Sequence, residues 1–590
     1  MTAPNPEPTA SRRDGLATRV AAWARTRAEE PAFTELRYRG SECTPVTLTY
    51  AQLHRAAGAL ARQLRIESEP GDRVAILCDH GLDYVVAFLA CLYSDRVAVP
   101  LFPASGGRNA QRSASVLADA RPTLGLVSAR DTATGATFGA ELGRVLSLPP
   151  DITALGDPGP EPIIDTSATE LAYLQYTSGS TKTPAGVCIT HANLVAALSQ
   201  LWDAVPAVRH KPIVTWLPFF HDMGLVLALS LPLYSGVHGV TMAPAEFVKR
   251  PIRWLRACSD YGAGTTGCPN FGLSLAVSAT TARERDGLDL SALDALLNGA
   301  EPIRADALPE FTATFTEYGF RHHAHTPGFG LAEATLTVTI GRQDDEPVAL
   351  RFDRSELAAN RAVVLPEDAS DASGVALVGC GGPAGQRVAV VDPVDRVEVA
   401  PGRVGEVWVA GPNVGAGYYE NPVATGESFG ATLGARPGRW LRTGDLGFWH
   451  EGQLYIAGRR KDLIVVDGRN HYPSDIESTA AAAAPEVRAG HVAAFGHDDG
   501  RREDLVVVAE LNITNTPDAA ELTDIARRIR TAVAGAHEVM PGSVILVAPG
   551  RIPKTSSGKL RRGECRALYG SGRLPHLAAI GKQPPAPPRS

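Results

Sequence analysis

The sequence predicts an α/β protein with largely parallel sheets and a smaller α/β unit toward its C-terminal end. Three observations carry this expectation. Short apolar strand-like runs alternate with helical patterns, 590 residues exceed what one core holds, and a charged connector breaks the rhythm near residue 460. Tyr50 to Arg65 places Leu53, Ala56, Ala57 and Leu60 on one helical face, and Val74-Ala75-Ile76-Leu77 then reads as a buried strand. Asp83 to Tyr93 is a second apolar helix, followed by the strand-like Val97 to Leu101. Strands separated by helices imply βαβ units.

Two places interrupt the pattern. Residues 351–374 end in a polar run from Pro366 to Ser373 and read as an insertion with a solvated loop. Gly458-Arg459-Arg460-Lys461-Asp462 is a charged connector between the strand-like runs 454–456 and 463–466. Beyond it we expect strands near 503–510 and 543–547 and a helix near 520–534. The expected domains are therefore 15–460 and 461–581, with disordered tails at 1–14 and 582–590, both rich in Pro and Ser.

Composition excludes several classes. Hydrophobic residues at 44% and charged residues at 21% are ordinary globular values, and a net charge of −7 argues against a nucleic-acid binder. Eight scattered cysteines without a CxxC pair suit reduced thiols better than disulfides or zinc. The polar N-terminus and the lack of an apolar run of about eighteen residues predict neither signal peptide nor membrane span, hence a cytoplasmic protein.

Thr177-Ser178-Gly179-Ser180-Thr181-Lys182 follows a possible strand, 171–175. Small hydroxyl residues around glycine let backbone N–H and side-chain O–H groups converge on phosphate oxygens. The spacing is not that of a Walker loop, and a solvent-exposed Ser/Thr/Gly turn is the plain alternative.

This segment resembles the phosphate-binding signature of the acyl-adenylate-forming superfamily, which includes acyl-CoA synthetases, luciferases and peptide-synthetase adenylation domains. Further signatures follow in order: Gly328-Phe329-Gly330-Leu331-Ala332-Glu333, Trp440 to Gly447, Gly458 to Asp462, and Pro553-Lys554-Thr555-Ser556-Ser557-Gly558-Lys559-Leu560. Together they span roughly 15–570. Within the superfamily the likeness is nearest to the fatty acyl-AMP ligases, through Trp216 to Leu225, Asn298 to Pro302, Gly468 to Pro473 and the insertion beginning at Arg351. The resemblance implies a large N-terminal domain of stacked mixed and parallel sheets with a β-barrel-like subdomain, and a small mobile α+β C-terminal domain.

It also implies roles. ATP and Mg2+ would be bound, with Thr177, Ser178, Gly179, Ser180 and Thr181 on phosphate and Glu333 as the metal ligand. Gly299, Ala300, Glu301, Phe329 and Gly330 would line the adenine. A carboxylate at Asp445 can accept from both vicinal ribose hydroxyls, backed by Arg459; an Asx turn at 443–445 is the alternative. Lys559 would be catalytic, bringing an ammonium to carboxylate and α-phosphate together, with Lys554 and Arg561 as basic rivals. His221, Asn270 and Phe271 would wall the acyl pocket, although His221 also reads as a satisfied core histidine. Asp462 would be the hinge of a swinging C-terminal domain. Ala185 and Ala332 depart from a lysine and a threonine common in relatives, and Cys268 stands where a second glycine is frequent. Ser180, Thr181 and Lys182 are expected to compensate.

The implied activity is ATP-dependent formation of acyl-AMP, then transfer to the phosphopantetheine thiol of an acyl carrier protein supplied in trans. Arg561, Arg562 and Arg566 are candidate docking residues for that acidic partner, or an ordinary solvated helix end. A fatty acyl-CoA synthetase, a peptide-synthetase adenylation domain and a non-catalytic nucleotide binder are the rival readings.

Overall fold

The computed structural model describes residues 15–582, apart from 104–106, 130, 132–133, 135–136, 140, 156–169, 177–183, 367, 371–372, 467–468, 499–502, 513–516 and 556–558. Helices form at Leu16–Thr26, Tyr50–Glu67 and Leu82–Tyr93, the last two where the apolar periodicity places them. The helix Tyr50–Glu67 starts at a capping box: the Thr49 hydroxyl accepts from the Gln52 N–H while the Gln52 side chain accepts from the Thr49 N–H.

Among the described residues two large sheets lie side by side. One has seven strands, with 73–76, 97–100, 124–127, 145–147 and 171–176 parallel to one another where they pair. The other has nine, and its interior strands Gly239–Met242, Ile213–Thr215, Thr265–Cys268, Ala295–Asn298 and His325–Gly330 are all parallel. Apart from Asp83 in its first turn, helix Leu82–Tyr93 is apolar all round and buried, as an element sandwiched in one continuous core must be.

The expectation of largely parallel sheets holds for the interiors and fails at the edges. Gly186–Thr190 returns antiparallel on Leu171–Tyr176, and Thr337–Ile340 returns antiparallel on His325–Gly330. Local pattern reports burial on both faces but not the direction of a partner strand, which tight connections decide here. The third sheet is antiparallel and five-stranded, and includes Gly405–Ala410, Arg436–His450 and Gln453–Arg459.

Residues 351–374 form part of a small element of their own. Ala349–Asp353 pairs with Gly374–Val378, and the helix Arg354–Ala358 lies between them. After the 3-10 turn Arg460–Asp462 the chain builds separate cores around Ile476, Leu505, Ile525 and Leu546, and around Phe495, Ile545, Cys565 and Tyr569. Its sheet runs Val487–Asp498, Glu503–Leu511, Ser543–Val547 and Ala578–Gly581, with helix Ala519–His537 packed on it. All eight cysteines are free, and no described helix is long and apolar enough to cross a membrane.

Candidate active site

Parallel sheets collect ligands outside the carboxyl ends of their strands. Leu217–Asp222 follows Ile213–Thr215, Asn270 and Phe271 follow Thr265–Cys268, Gly299–Glu301 follows Ala295–Asn298, and Gly330 ends His325–Gly330. Four separate expectations thus meet along one edge of one sheet. The backbone there is tight. A Cβ on Gly299 would lie 2.9 Å from the Gly328 carbonyl, and one on Gly330 would collide with the Leu336 carbonyl. Ala300 sits at φ 70°, a left-handed conformation that costs a non-glycine residue on the order of 1 kcal/mol.

Glu301 and Asn270 are held by bonds to each other's segments. The Glu301 carboxylate accepts from the Phe271 N–H at 3.3 Å, at the N-terminus of helix Asn270–Ser278. The Asn270 amide donates to the Pro302 carbonyl at 2.5 Å and accepts from the Arg304 N–H at 3.3 Å. Phe271 is half-buried against the Trp216 ring, which itself stacks on Phe247 at 3.9 Å. Phe329 and Gly330 are likewise half-buried.

His221 and Asp222 share a contact of 2.6 Å between Nδ1 and Oδ1. The turn that carries them needs Gly224, because a Cβ there would strike the Pro218 carbonyl. A π-helical run, Gly224–Ser230, follows directly; such i→i+5 runs recur at functional sites. Burial pushes the Asp222 carboxyl up, but His221 and then Lys559 outweigh it and pull it down to about 2.

Asp445 is buried on the long strand Arg436–His450, opposite Arg459 on the neighbouring strand, and its Oδ1 lies 3.0 Å from the Arg459 Nε. Gly444 takes φ 72° next to it, and the Asp445 N–H donates to the Thr443 hydroxyl at 3.0 Å. Burial raises the Asp445 carboxyl, with Arg459, Lys461 and Lys559 opposing. Glu333 lies on the turn Ala332–Ala334, and its Oε1 accepts from the Tyr418 hydroxyl at 2.9 Å. Burial also raises the Glu333 carboxyl.

Lys559 arrives from the other lobe. Leu560 beside it bridges to Lys554, and the Thr555 N–H donates to the Lys559 carbonyl at 2.8 Å. Burial lowers its pKa, while Asp222, Glu301 and Asp445 act in the opposite sense. One buried ammonium therefore lies in the field of carboxylates from three segments of the N-terminal lobe and of the Arg459 guanidinium. Lys554, five residues earlier, lies 2.9 Å from the His491 Nε2, and burial lowers it to about 8.

Asp462 closes the turn between the lobes. Its Oδ2 lies 3.5 Å from Arg562, whose guanidinium also grips Glu477 through two 2.6 Å hydrogen bonds. The candidate docking arginines are half-buried, and two of them are already engaged. Arg562 is spent on Glu477, Arg561 pairs with Glu564 at 2.5 Å, and the Arg566 Nε is buried. Thr177, Ser178, Gly179, Ser180 and Thr181 lie outside the described residues, but the strand ends that bracket them, Tyr176 and Gly186, pair directly. Sequence reasoning did not single out Asp222 or Tyr418. Asp222 lay within the quoted 216–225 motif, whereas Tyr418 carried no signal beyond its Gly417-Tyr418-Tyr419 neighbourhood.

The donor set fits Mg2+. Among the described residues Glu333 forms no ion pair, although the Arg459 charge acts on it, and no cluster of three or more His, Cys, Asp or Glu side chains forms a cage of its own. One carboxylate completed by substrate phosphates is the arrangement this hard cation takes.

Residues 20–419 match the family model described as AMP-binding enzyme. The chain belongs to that family. Residues 461–579 match a second model, the AMP domain of Disco-interacting protein 2-like proteins. The chain is 38% identical over 570 residues to a long-chain-fatty-acid–AMP ligase of Mycobacterium tuberculosis, covering 93% of this chain and 95% of the relative. It is 38% identical over 541 residues to a 4-hydroxyphenylalkanoate adenylyltransferase of the same organism, covering 89% and 86%. Among solved structures, a fatty acyl-adenylate ligase from Legionella pneumophila in complex with acyl adenylate and pyrophosphate superposes with a TM-score of 0.72 at 31% identity, covering 98% and 99%.

Proposed function

We propose that the protein joins a fatty acid to AMP and then passes the acyl group to the phosphopantetheine thiol of an acyl carrier protein. In the first step a carboxylate oxygen attacks the α-phosphorus of ATP, the bond to the bridging oxygen breaks, and pyrophosphate leaves. Two anions must meet for this, so the site supplies positive charge and placement more than covalent chemistry. Lys559 serves both needs, because its ammonium reaches toward the substrate carboxylate and the α-phosphate together. Asp445, steadied by Arg459, accepts from the ribose hydroxyls. Phe329 and the turn 299–301 form the adenine wall, and residues 177–181 hold phosphate. Glu333 would hold Mg2+, which supplies charge neutralisation at the triphosphate. His221 and Phe271 border the acid, and Asn270 fixes the turn beside it.

What supports this reading most is a buried C-terminal-lobe ammonium, Lys559, whose charge acts with those of Asp222, Glu301 and Asp445 of the other lobe, close to the Asp445–Arg459 pair. ATP use and eight free thiols fit a reducing, ATP-rich compartment, the cytoplasm. One alternative acid has support. The stacked Trp216–Phe247 pair and the edge contact of Phe271 make an aromatic wall, and one relative is named for a hydroxyphenylalkanoate.

The test is mass spectrometry of purified enzyme with ATP, Mg2+ and a mixture of fatty and aryl-alkanoic acids, followed by CoA or a holo carrier protein in separate arms. Acyl-AMP from a fatty acid, discharged by the carrier and not by CoA, is expected. Adenylate only from the aryl acids would reassign the substrate; CoA discharge would reassign the acceptor; no adenylate from any acid would overturn the activity.

A further inference from the structure

Glu333 would be poorly placed by its own backbone alone. It stands on a single 3-10 turn, Ala332–Ala334, that ends at Thr335 with φ 62°. A glutamate side chain on such a turn has several rotamers, and holding one at a metal requires a partner. Ala332 offers no hydroxyl next door.

The partner comes from a strap, residues 412–419, that spans the gap between Glu333 and the strand Gly186–Thr190. On one side the Gly415 N–H donates to the Glu333 carbonyl at 2.9 Å. Asn413, fully buried, donates to the Ala334 and Thr337 carbonyls at 3.0 and 3.1 Å, and its own carbonyl accepts from the Thr335 hydroxyl at 2.6 Å. On the other side the Ala416 N–H donates to the Cys188 carbonyl at 2.9 Å, and the Tyr419 N–H to the Gly186 carbonyl at 2.7 Å. Gly186 is where the described chain resumes its strand after the phosphate loop. The strap therefore ties the carboxylate to the arm that carries that loop.

Tyr418 is the strap's side-chain contact with Glu333, at 2.9 Å to Oε1. The tyrosine is itself fixed. Its N–H donates to the Thr425 hydroxyl at 2.9 Å, and its ring meets Phe429 edge-on at 5.2 Å. We propose that Tyr418 is the positioning residue for Glu333, its hydroxyl holding one carboxylate oxygen so that the group is set for Mg2+ before ATP arrives. The proposal rests on the metal role given to Glu333 above.

Tyr418→Phe removes the hydroxyl and keeps the ring against Phe429. The readout is binding, not turnover: Mn2+ titrated by electron paramagnetic resonance into enzyme holding α,β-methylene-ATP, alongside AMP binding without metal and the melting temperature. A hydrogen bond to a charged group predicts Mn2+ affinity lower by about tenfold, with metal-free AMP binding and melting unchanged. Mn2+ affinity within about twofold of the parent overturns the proposal, as does an equal fall in metal-free AMP binding, which marks general loosening. Glu333→Gln separates the two levels of the argument. If it keeps Mn2+ affinity, the metal role of Glu333 fails; if it loses Mn2+ while Tyr418→Phe does not, only the positioning role fails. Adding Tyr418→Phe to Glu333→Gln is expected to cost nothing further.

Discussion

The two lobes meet along two seams of opposite character. At the active-site seam the contact is electrostatic: the Lys559 charge acts with Asp222, Glu301 and Asp445, and among the described residues no ion pair ties it down. At the other seam the contact is packed and bonded. Phe352 of the insertion meets Phe448 and Tyr455 at 4.9 and 5.1 Å, and Tyr472 of the C-terminal lobe joins the same cluster. Arg354 of the insertion binds Asp475 at 2.6 and 3.1 Å and also donates to the Ala536 carbonyl at 3.1 Å. Apolar interlock resists separation, whereas a charge without a fixed partner releases readily. On the proposed function, the difference suits a lysine that leaves once its chemistry is done.

The strongest way to break this comparison is at the lysine. Lys559→Ala removes a C-terminal-lobe ammonium whose charge acts with all three carboxylates, at a site where the transition state gathers negative charge. Loss of such a donor costs about 3–4 kcal/mol, so acyl-AMP formation is expected to fall by roughly a hundred- to a thousandfold. Fold stability should barely change, since burial already disfavours the charge. Pyrophosphate release measured beside thermal melting checks both halves, and a variant with near-parent release would remove Lys559 from the chemistry.

The insertion seam offers the next largest effect. Arg354→Ala strands the half-buried Asp475 carboxylate and loses a donor to Ala536. Breaking one partner of such a pair costs about 2–3 kcal/mol, less than for a fully buried pair because both side chains keep some exposure. Hydrogen exchange in helix Pro473–Ala482 should quicken, while acyl-AMP formation stays within a few fold. Unchanged exchange would mean that the apolar cluster alone holds this seam.

Much of this contrast was legible in the sequence, and the limits have physical reasons. Gly299, Gly330 and Gly444 stood inside recognisable turns, and each proves to occupy a close approach or a left-handed position. Asp445 and Arg459 were named from separate motifs, and strand register makes them opposite neighbours. Glu301 was read as lining a base; its carboxylate bonds the Phe271 N–H, a contact set by long-range packing that local pattern does not encode. Tyr418 carries no visible role until the strap brings it across 85 residues of chain to Glu333. Arg561, Arg562 and Arg566 read as one candidate docking face because spacing does not show that Arg561 and Arg562 are already paired, with Glu564 and with Glu477 and Asp462.

The smallest effect sharpens the comparison through pH. His537 is buried at the insertion seam, its Nε2 2.8 Å from the Thr479 hydroxyl and its Nδ1 3.7 Å from Asp475. Burial lowers its pKa from 6.5 to about 4; Asp475 opposes this, and Arg354 and His471 reinforce it. Because the folded value lies below the unfolded one, the unfolded chain takes up the proton first. The contribution of His537 is thus complete above pH 6.5 and is lost as pH falls toward 4, amounting to about 1 kcal/mol by pH 5.5. Mild acid should therefore loosen helix Ala519–His537 and its contact with Arg354 before it weakens Asp222, whose carboxyl stays charged down to about 2. Hydrogen exchange followed between neutral pH and pH 5.5, corrected for intrinsic rates, would show this helix opening earlier than the active-site turn. His537→Gln should flatten that acid response, and an equally steep response in the variant would move the sensitivity to another group.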